Sequence, residues 1–398
     1  MDSKRFKIRR RVDKVVAFGF QAFIKDYLID YFNENFFERP LKEIIREYVR
    51  IVKNTLFIPE PHTAHIEALH KLGYLPIKIK AVKEGTLVPL RVPMLTIENT
   101  KDDFFWLTNF LETIMSLNLW MPSTSATIAF EYRKILEKWY GITGGIKELI
   151  PFLGHDFSMR GHTSMWSSAS SGAGHLISFC GSDTIPAIQF LEAFYGADVE
   201  KEMVGMSVNA TEHSTMCAMG QDEFEAFKRL LTKVYPEGIV SVVSDTWDLW
   251  YIIGVILPAL KDIIMARKGK LVIRPDSGDP VLIMTGDKNH KGDTSRDDLI
   301  RKGVVECLYD IFGGAENDKG YIQLDSHIGA IYGDAITRDR CNEICKQLAD
   351  KSFTSTNVIF GVGSFTYQYN TRDTFGFALK STHVVIDDVE KAIFKDRP

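Results

Sequence analysis

The sequence predicts an α/β protein whose longer, carboxyl-terminal part forms a parallel β-sheet covered by helices. From about residue 150 onward, short apolar runs alternate with amphipathic helical stretches, which is the pattern of consecutive βα units. Several of these runs end on Asp or Gly, and the carboxyl ends of strands carry the ligand site in barrel and open α/β folds. A single Asp or Gly at the end of a strand is equally well explained as a turn residue. Because the ending recurs along the chain, it favours a shared ligand site.

Composition places the chain among ordinary globular proteins. Of its 398 residues, 45% are apolar and 25% are charged, which excludes disordered and fibrous classes. A formal net charge of −4 argues against a nucleic-acid scaffold. No apolar run approaches the roughly 20 residues that span a bilayer, and the five cysteines do not form a disulfide framework. We therefore expect a soluble, cytoplasmic enzyme with neither nucleic acid nor membrane as a partner.

Residues 1–150 are predicted to form an amino-terminal α+β domain. Apolar residues on one face predict a helix over 20–36, and a second helix begins after Pro40. Short strands are predicted at 76–82, 86–91 and 93–98. Two further helices, over about 103–118 and 125–140, complete this region.

Residues 151–398 are predicted to form the second domain, which contains the parallel sheet. Its predicted strands are 151–157, 176–183, 239–245, 271–278, 329–334 and 357–364. Helices are predicted between them at 187–195, 222–234 and 337–348.

The first candidate site follows the first of these strands, in the run 155–161. Phe157 offers a flat apolar face next to the cation of Arg160, which suits a planar heteroaromatic ring beside a phosphate or carboxylate. A buried ring with a salt-bridged arginine is the alternative interpretation.

Two further candidates are Asp183 and His213. Asp183 follows a strand directly, where its carboxylate could accept a hydrogen bond from a ligand N–H. It could equally cap the next helix, and capping is the commoner use of Asp there. His213 stands beside Glu212 and could act as a general base or accept a phosphoryl group, although most isolated histidines do neither.

The most specific local motif is the run 273–280, in which Arg274, Pro275 and Asp276 precede Ser-Gly-Asp-Pro. The arginine can pair with a phosphate, and Asp276 can hold ribose hydroxyls or a water bound to Mg²⁺. A structural turn accounts for Ser-Gly-Asp-Pro but not for the Arg-Pro-Asp before it. Gly333 with Asp334, and the run 361–364, end two more strands in the same way.

Together these motifs resemble the nicotinamide phosphoribosyltransferase family, within the wider nicotinate and nicotinamide phosphoribosyltransferases. The resemblance covers nearly the whole chain and includes 75–89, 104–114, HDFSMRG, GSDT, EHST, SVVSDTWD (241–248), IRPDSG, YGD and TRD (371–373). It implies condensation of nicotinamide with phosphoribosyl pyrophosphate, giving nicotinamide mononucleotide and pyrophosphate. The implied fold is an irregular, TIM-like α/β barrel of the type II phosphoribosyltransferases, joined to an α+β domain.

The resemblance also implies a role for each site residue. Phe157 would stack on the nicotinamide ring, and Asp183 would accept from the carboxamide NH₂ and disfavour nicotinic acid. His213, which the family phosphorylates when ATP hydrolysis is coupled, is expected to be catalytic together with Arg274 and Asp276. The remaining implied substrate contacts are Arg160, Ser241, Asp245, Pro275, Gly333, Asp334, Gly363, Ser364, Arg372, Lys380 and Lys395.

Partners and alternatives follow from the same resemblance. We expect Mg²⁺ to arrive with phosphoribosyl pyrophosphate rather than at a metal site of the protein, ATP to be an optional coupling substrate, and the enzyme to be a homodimer with interface sites. The family's opening Asp-Ser-Tyr-Lys motif reads Asp2-Ser3-Lys4 here, and the chain stops at Pro398, so it looks short at both ends. A nicotinate phosphoribosyltransferase and a non-catalytic nucleotide-binding remnant are the alternatives.

Overall fold

The computed structural model describes residues 12–333 and 335–394. The chain forms two compact units, each discontinuous in sequence. The first comprises residues 1–124, 190–196 and 370–398, and the second comprises 125–189 and 197–369. The predicted division into domains at residue 150 is continuous in sequence and stays a prediction. None of the helices in the described ranges combines the length and hydropathy needed to cross a bilayer.

The first unit contains small antiparallel sheets and helices. Its strands are β1 (Lys14–Val16), β2 (Ile77–Ala81), β3 (Leu87–Pro89) and β4 (Leu95–Asn99), paired β1 with β3 and β2 with β4, and a later hairpin of His383–Ile386 and Val389–Ala392. Its helices are α1 (Phe20–Phe23), which continues with π-helical hydrogen bonding through Ile24–Tyr31 and Asn33–Phe37, then α2 (Leu41–Thr55), α3 (Ala64–Leu72) and the 3₁₀ turn Asp102–Phe104. The predicted helices and strands between residues 20 and 98 are confirmed.

The next helix corrects one prediction. In place of two helices over 103–118 and 125–140 there is one, α4 (Trp106–Thr143), with Pro122 inside it. A proline in a helix interior removes one backbone hydrogen bond and usually breaks the helix. Here residues 123–127 are fully buried, so packing sustains the helix through the proline.

The second unit is built on a parallel sheet of seven strands. They are β5 (Gly154–Asp156), β6 (Gly181–Ser182), β7 (Asn209–Ala210), β8 (Glu237–Val243), β9 (Lys268–Arg274), β12 (Ile328–Tyr332) and β13 (Val358–Val362), in the order β6-β5-β13-β12-β9-β8-β7. The short antiparallel pair β10 (Gly314–Glu316) and β11 (Ile322–Leu324) lies outside this sheet, and the hairpin of the first unit supplies β14 and β15. Five of the six predicted strands include more than half of an observed strand, namely β5, β8, β9, β12 and β13, whereas only two residues of the predicted strand 176–183 form a strand, β6.

The two edges of this sheet are joined by one segment, residues 206–210. Met206 forms a parallel bridge with Gly181 of β6, and Asn209–Ala210 of β7 pair with β8. The backbone N–H of Ser182 donates to Met206 O (2.9 Å), and that of Met206 donates to Cys180 O (2.7 Å). The pairing therefore runs around a closed ring, which is the irregular barrel that the family resemblance implies.

Helices follow the strands of the barrel. They are α5 (Met165–Leu176), α6 (Ile185–Tyr195), α7 (His213–Ala218), α8 (Glu223–Arg229), α9 (Leu249–Tyr251), α10 (Leu257–Ala259), α11 (Lys261–Ala266), α12 (Pro280–Thr285), α13 (Ser295–Lys302), α14 (Val304–Phe312), α15 (Arg338–Asp350) and α16 (Ser364–Gln368). Shorter turns are Lys147–Phe152, Met159–Gly161, Leu230–Val234, Ile252–Ile256 and Ser355–Asn357. The predicted helices 187–195, 222–234 and 337–348 are confirmed.

The central strands show how the sequence divides between the barrel interior and its outer face. Val240, Val242, Leu271 and Ile273 are fully buried, and they alternate with Ser241, Val272 and Arg274. A Cβ added at Gly329 would lie 3.3 Å from Lys270 Cδ and 3.9 Å from Val272 Cγ2, so these positions share one face of the sheet. Because side chains alternate along a strand, Arg274 lies on that face too. The opposite face of the two central strands carries the four fully buried apolar side chains.

Candidate active site

A cavity of about 340 Å³ opens at the carboxyl ends of the barrel strands. Eight residues line it: Phe157, Met159, Arg160, Asp183, Glu212, Arg274, Asp276 and Gly333. They follow β5, β6, β7, β9 and β12 or end them. Six of the eight are predicted site residues, and Met159 and Glu212 are additional. The structure brings these six residues together in one cavity, and their roles stay predictions.

Phe157 forms the aromatic wall of the cavity, and two glycines allow it. A Cβ at Gly361 would lie 2.5 Å from Phe157 Cδ2, and one at Gly333 would lie 3.3 Å from Phe157 Cε2. The ring therefore rests directly on the backbone of β13 and of the residue that follows β12. Its backbone N–H donates to Val362 O (3.0 Å), which continues the pairing of β5 with β13. This fixed, flat apolar surface suits a planar ring.

Asp183 supplies an anionic acceptor in the same cavity. His155 Nε2 donates to Asp183 Oδ1 (2.8 Å), and Ser207 Oγ donates to the same oxygen (2.5 Å). Burial acts to raise the pKa of Asp183, but the hydrogen bond and charge of His155, the Ser207 hydroxyl and the charge of Arg274 outweigh it and lower that pKa. The carboxylate is therefore the stable form. The capping interpretation fails, because its side chain bonds to His155 and Ser207 rather than to the start of α6.

The imidazole of His155 connects the aromatic wall to this carboxylate. Its ring centroid lies 4.8 Å from that of Phe157, and the same ring donates to Asp183. The sequence predicts no role for His155. The residue lies on β5, two positions before Phe157, and this spacing places both side chains on the same face.

Two guanidinium groups supply positive charge. The side chain of Arg274, at the end of β9, is 8% exposed, and its Nη2 lies 3.5 Å from Glu212 Oε2. Within the described residues, the buried Nε of Arg274 has no hydrogen-bond partner. Arg160 lies in the exposed turn after β5. A buried arginine with an unused donor at a cavity is a ready site for a phosphate.

His213 stands between two carboxylates at the first residue of α7. Its Nε2 lies 3.8 Å from Asp245 Oδ1 and 3.8 Å from Asp276 Oδ2, and its Nδ1 lies 3.1 Å from Thr246 Oγ1. The backbone N–H of Asp276 donates to Asp245 Oδ2 (2.7 Å), which fixes the two loops against each other. Asp245 Oδ1 is buried without a hydrogen-bond partner in the described part of the chain, so it can accept from His213 or from a ligand.

Four other predicted residues of the second unit are not among the residues that line the cavity. Ser241 is on β8, and its buried Oγ has no hydrogen-bond partner among the described residues. Pro275 lies between Arg274 and Asp276 and is buried, and Gly363 follows β13. A Cβ added at Gly161 would lie 2.2 Å from Ser364 Cβ, so Ser364 packs against the Arg160 turn.

Arg372 and Lys380 belong to the first unit. Both are exposed, Arg372 Nη2 lies 3.7 Å from Asp373, and Lys380 Nζ donates to Glu112 Oε1 (2.9 Å). Asp334 and Lys395 lie outside the described residues. The roles of these four residues stay predictions.

A barrel that carries an aromatic wall, carboxylates and arginines at its strand ends defines an enzyme of the α/β-barrel class. The chain belongs to the nicotinate phosphoribosyltransferase (NAPRTase) family, whose model matches residues 152–397.

Two relatives and one solved structure are similar to the chain. The chain is 47% identical over 392 residues to a protein of Acinetobacter baylyi named nicotinamide phosphoribosyltransferase, covering 96% of this chain and 76% of that protein. It is 38% identical over 315 residues to a protein of the same name from Mycoplasma pneumoniae, covering 78% of this chain and 65% of that protein. Human nicotinic acid phosphoribosyltransferase is a solved structure that it resembles with a TM-score of 0.48 and 18% identity, over 88% of this chain and 65% of that one.

Proposed function

We propose that this chain is a nicotinamide phosphoribosyltransferase, which makes nicotinamide mononucleotide and pyrophosphate from nicotinamide and phosphoribosyl pyrophosphate. The names of the similar proteins support the reaction. The observation that carries the choice of substrate is the carboxylate of Asp183 beside the Phe157 wall, with His155 contacting both. A carboxylate accepts from the N–H of a carboxamide, whereas the carboxylate of nicotinic acid would meet it as a like charge.

The reaction breaks the bond between the anomeric carbon and pyrophosphate and forms a bond from that carbon to the ring nitrogen. Positive charge develops on the sugar and negative charge on the leaving group. Arg274 and Arg160 are positioned to stabilise the departing pyrophosphate, which brings Mg²⁺ with it as part of the substrate complex. Asp276 is suited to the ribose hydroxyls. The protein thus contributes positioning and charge stabilisation rather than a covalent nucleophile.

ATP coupling is proposed for His213. If Nδ1–H donates to Thr246 Oγ1, the lone pair on Nε2 is available for the γ-phosphorus of ATP. The N–P bond would form at Nε2 as the bond between the γ-phosphorus and ADP breaks. The hydrogen bond at one ring nitrogen decides which nitrogen carries the proton. Thr246, which contacts Nδ1, is therefore part of the proposed site.

We also propose a homodimer and a cytoplasmic location. The five cysteines are all free in the structure, which supports a reducing compartment. The first unit exposes large apolar side chains, among them Leu56, Phe57, Phe105, Phe110 and Leu117, and such surfaces mark interaction sites.

The substrate assay tests the proposal directly. Purified chain is incubated with phosphoribosyl pyrophosphate and Mg²⁺, and with either nicotinamide or nicotinic acid, and both mononucleotides are quantified by mass spectrometry. We expect a larger kcat/KM for nicotinamide, and a smaller preference in Asp183→Asn, because that variant removes the charge that repels the acid. Preference for nicotinic acid by the unaltered chain would identify a nicotinate-using enzyme. Binding of both substrates without product would identify a non-catalytic relative.

A further inference from the structure

Both hydrogen bonds to the Asp183 carboxylate end on the same oxygen. His155 Nε2 and Ser207 Oγ each reach Oδ1, at 2.8 Å and 2.5 Å. Within the described chain, no hydrogen bond is made to Oδ2. The side chain is 44% exposed and lines the cavity. One oxygen is therefore saturated by the protein, and the other is available to a ligand.

The first donor, His155, is held rigidly. It is buried on β5, and its side chain is 10% exposed. The adjacent residue, Asp156, accepts the backbone N–H of Asp183 (2.9 Å). The distance between imidazole and carboxylate is consequently set by the pairing of β5 with β6.

The second donor, Ser207, is fixed by the segment that closes the barrel. Its neighbour Met206 accepts from Ser182 N–H (2.9 Å) and donates to Cys180 O (2.7 Å). These two bonds bracket β6, which ends one residue before Asp183. Ser207 is exposed and lies outside every motif that the sequence predicts to be functional. The backbone pairing of its neighbour Met206 nevertheless fixes the position of its hydroxyl next to the Asp183 carboxylate.

We propose that Ser207 is a positioning residue that fixes the rotation of the Asp183 carboxylate, so that Oδ2 faces the carboxamide of nicotinamide. A carboxylate turns about its terminal torsion with little resistance. One hydrogen bond leaves that torsion adjustable, whereas two donors on one oxygen, from different strands, hold it. Preference for amide over acid then depends on a residue of the closing segment as well as on Asp183. This inference rests on the proposed function.

The test compares Ser207→Ala, Ser207→Thr, Asp183→Asn and the double variant Ser207→Ala/Asp183→Asn. We expect Ser207→Ala to lower the kcat/KM ratio of nicotinamide to nicotinic acid on the order of 3- to 30-fold, which lies between the loss of an ordinary hydrogen bond and the loss of one to a charged group. The loss should fall on KM for nicotinamide, with KM for phosphoribosyl pyrophosphate unchanged. Ser207→Thr retains the hydroxyl and should restore most of the ratio.

The double variant separates positioning from general damage. If Ser207 acts through Asp183, then Ser207→Ala should change the ratio by less than about twofold once Asp183 is already Asn, because the two effects are not additive. Ser295→Ala, at an exposed serine of α13 outside the cavity, is the matched control and should behave as the unaltered chain.

The outcomes distinguish this inference from the proposed function. The proposed function fails if the unaltered chain makes no nicotinamide mononucleotide or prefers nicotinic acid. If it prefers nicotinamide but Asp183→Asn leaves the ratio unchanged, the function stands and the roles of Asp183 and Ser207 both fail. If Asp183→Asn lowers it but Ser207→Ala does not, only the positioning role is overturned. An equal loss for both substrates and for phosphoribosyl pyrophosphate in Ser207→Ala, with a lower melting temperature, would assign the serine to barrel closure alone and also overturn the role.

Discussion

Arg274 Nη2 lies 3.5 Å from Glu212 Oε2 at the opening of the barrel. The Arg274 side chain is 8% exposed, whereas that of Glu212 is 58% exposed, so the glutamate is the partner that can move away. An anionic ligand that binds Arg274 must compete with this carboxylate. Glu212 therefore lowers the affinity of the free enzyme for pyrophosphate.

Replacement of Glu212 by Gln should strengthen pyrophosphate binding. The pair is partly exposed, so its strength is at most about 1 kcal/mol, which corresponds to an affinity gain of up to about fivefold. Titration calorimetry with inorganic pyrophosphate measures it. Glu98→Gln, which breaks an exposed pair with Lys78 (3.2 Å), is the control and should have no effect. Weaker binding in Glu212→Gln would mean that the glutamate helps to hold the anion.

Arg274→Ala should remove the main buried anion partner. Truncating one member of a buried charge pair costs about 2 kcal/mol or more, so we expect the KM for phosphoribosyl pyrophosphate to rise at least about 30-fold. Arg301→Ala, at a part-exposed arginine of α13 paired with Asp298, provides the comparison. If the melting temperature falls while ligand affinity is intact, the arginine is structural.

How much of this site the sequence predicts depends on where each residue lies. Phe157, Asp183, Arg274 and Asp276 follow or end buried strands, so their convergence follows from the geometry of a parallel sheet. Ser207 lies on the segment 206–210, which has no continuous apolar run and pairs through two short stretches of backbone. Hydrophobic periodicity gives no signal for such a strand.

Local rules also fail where tertiary packing overrides them. Pro122 indicates a break, yet α4 continues through it because residues 123–127 are fully buried. His155 and Glu212 are the first residues of the motifs HDFSMRG and EHST, but their roles depend on the distances to Asp183 and Arg274, which spacing along the chain does not give.

Stability should depend on pH through Glu223, at the first turn of α8. Burial and the nearby charge of Asp248 raise the pKa of Glu223 to about 7, from about 4.5 in the unfolded chain. The folded state therefore binds the proton more tightly, and this contribution to stability is complete below about pH 4.5 and is lost as the pH rises through 7. Its buried Oε1 has no hydrogen-bond partner in the described ranges.

Glu223→Gln mimics the protonated acid and should remove this dependence. We expect the variant to exceed the unaltered chain in free energy of unfolding at pH 8 by on the order of 3 kcal/mol, at about 1.4 kcal/mol per pKa unit, and to match it near pH 4.5. Urea denaturation at the two pH values measures the difference. Glu225→Gln, at an exposed position of the same helix, should show no such trend, and a constant offset for Glu223→Gln at both values would refute the argument.

His213 should carry the phosphoryl group if ATP is coupled. With γ-labelled ATP we expect an acid-labile label on the protein that disappears in His213→Ala. Synthesis without ATP should be reduced rather than abolished, because phosphorylation is not the bond-forming step. His290→Ala is the matched control, since His290 also pairs with a carboxylate, Asp297 (2.7 Å), but, unlike His213, is not near Asp276 or any other residue that lines the cavity. A label that persists in His213→Ala would exclude the role.

Gly361→Ala should disturb the aromatic wall without touching any polar group. The added Cβ would lie 2.5 Å from Phe157 Cδ2 and 2.8 Å from Gly333 Cα, and the backbone at Gly333 is less able to move than the side chain. The Phe157 ring must therefore tilt into the cavity. Stacking contributes about 0.5–1.5 kcal/mol beyond area burial, so KM for nicotinamide should rise roughly 2- to 13-fold.

Gly361→Ala should weaken the binding of nicotinamide but not that of pyrophosphate, which makes the prediction specific to the Phe157 ring. Binding of inorganic pyrophosphate, measured by calorimetry, should stay within about twofold, because Arg274 and Arg160 are not displaced. Gly141→Ala is the control, since a Cβ there meets nothing within 4 Å and alanine favours a helix by up to about 1 kcal/mol. If Gly361→Ala binds nicotinamide as the unaltered chain does, Phe157 is not the surface on which the substrate ring stacks. Equal losses of nicotinamide and pyrophosphate would instead mean that strand β13 itself has moved.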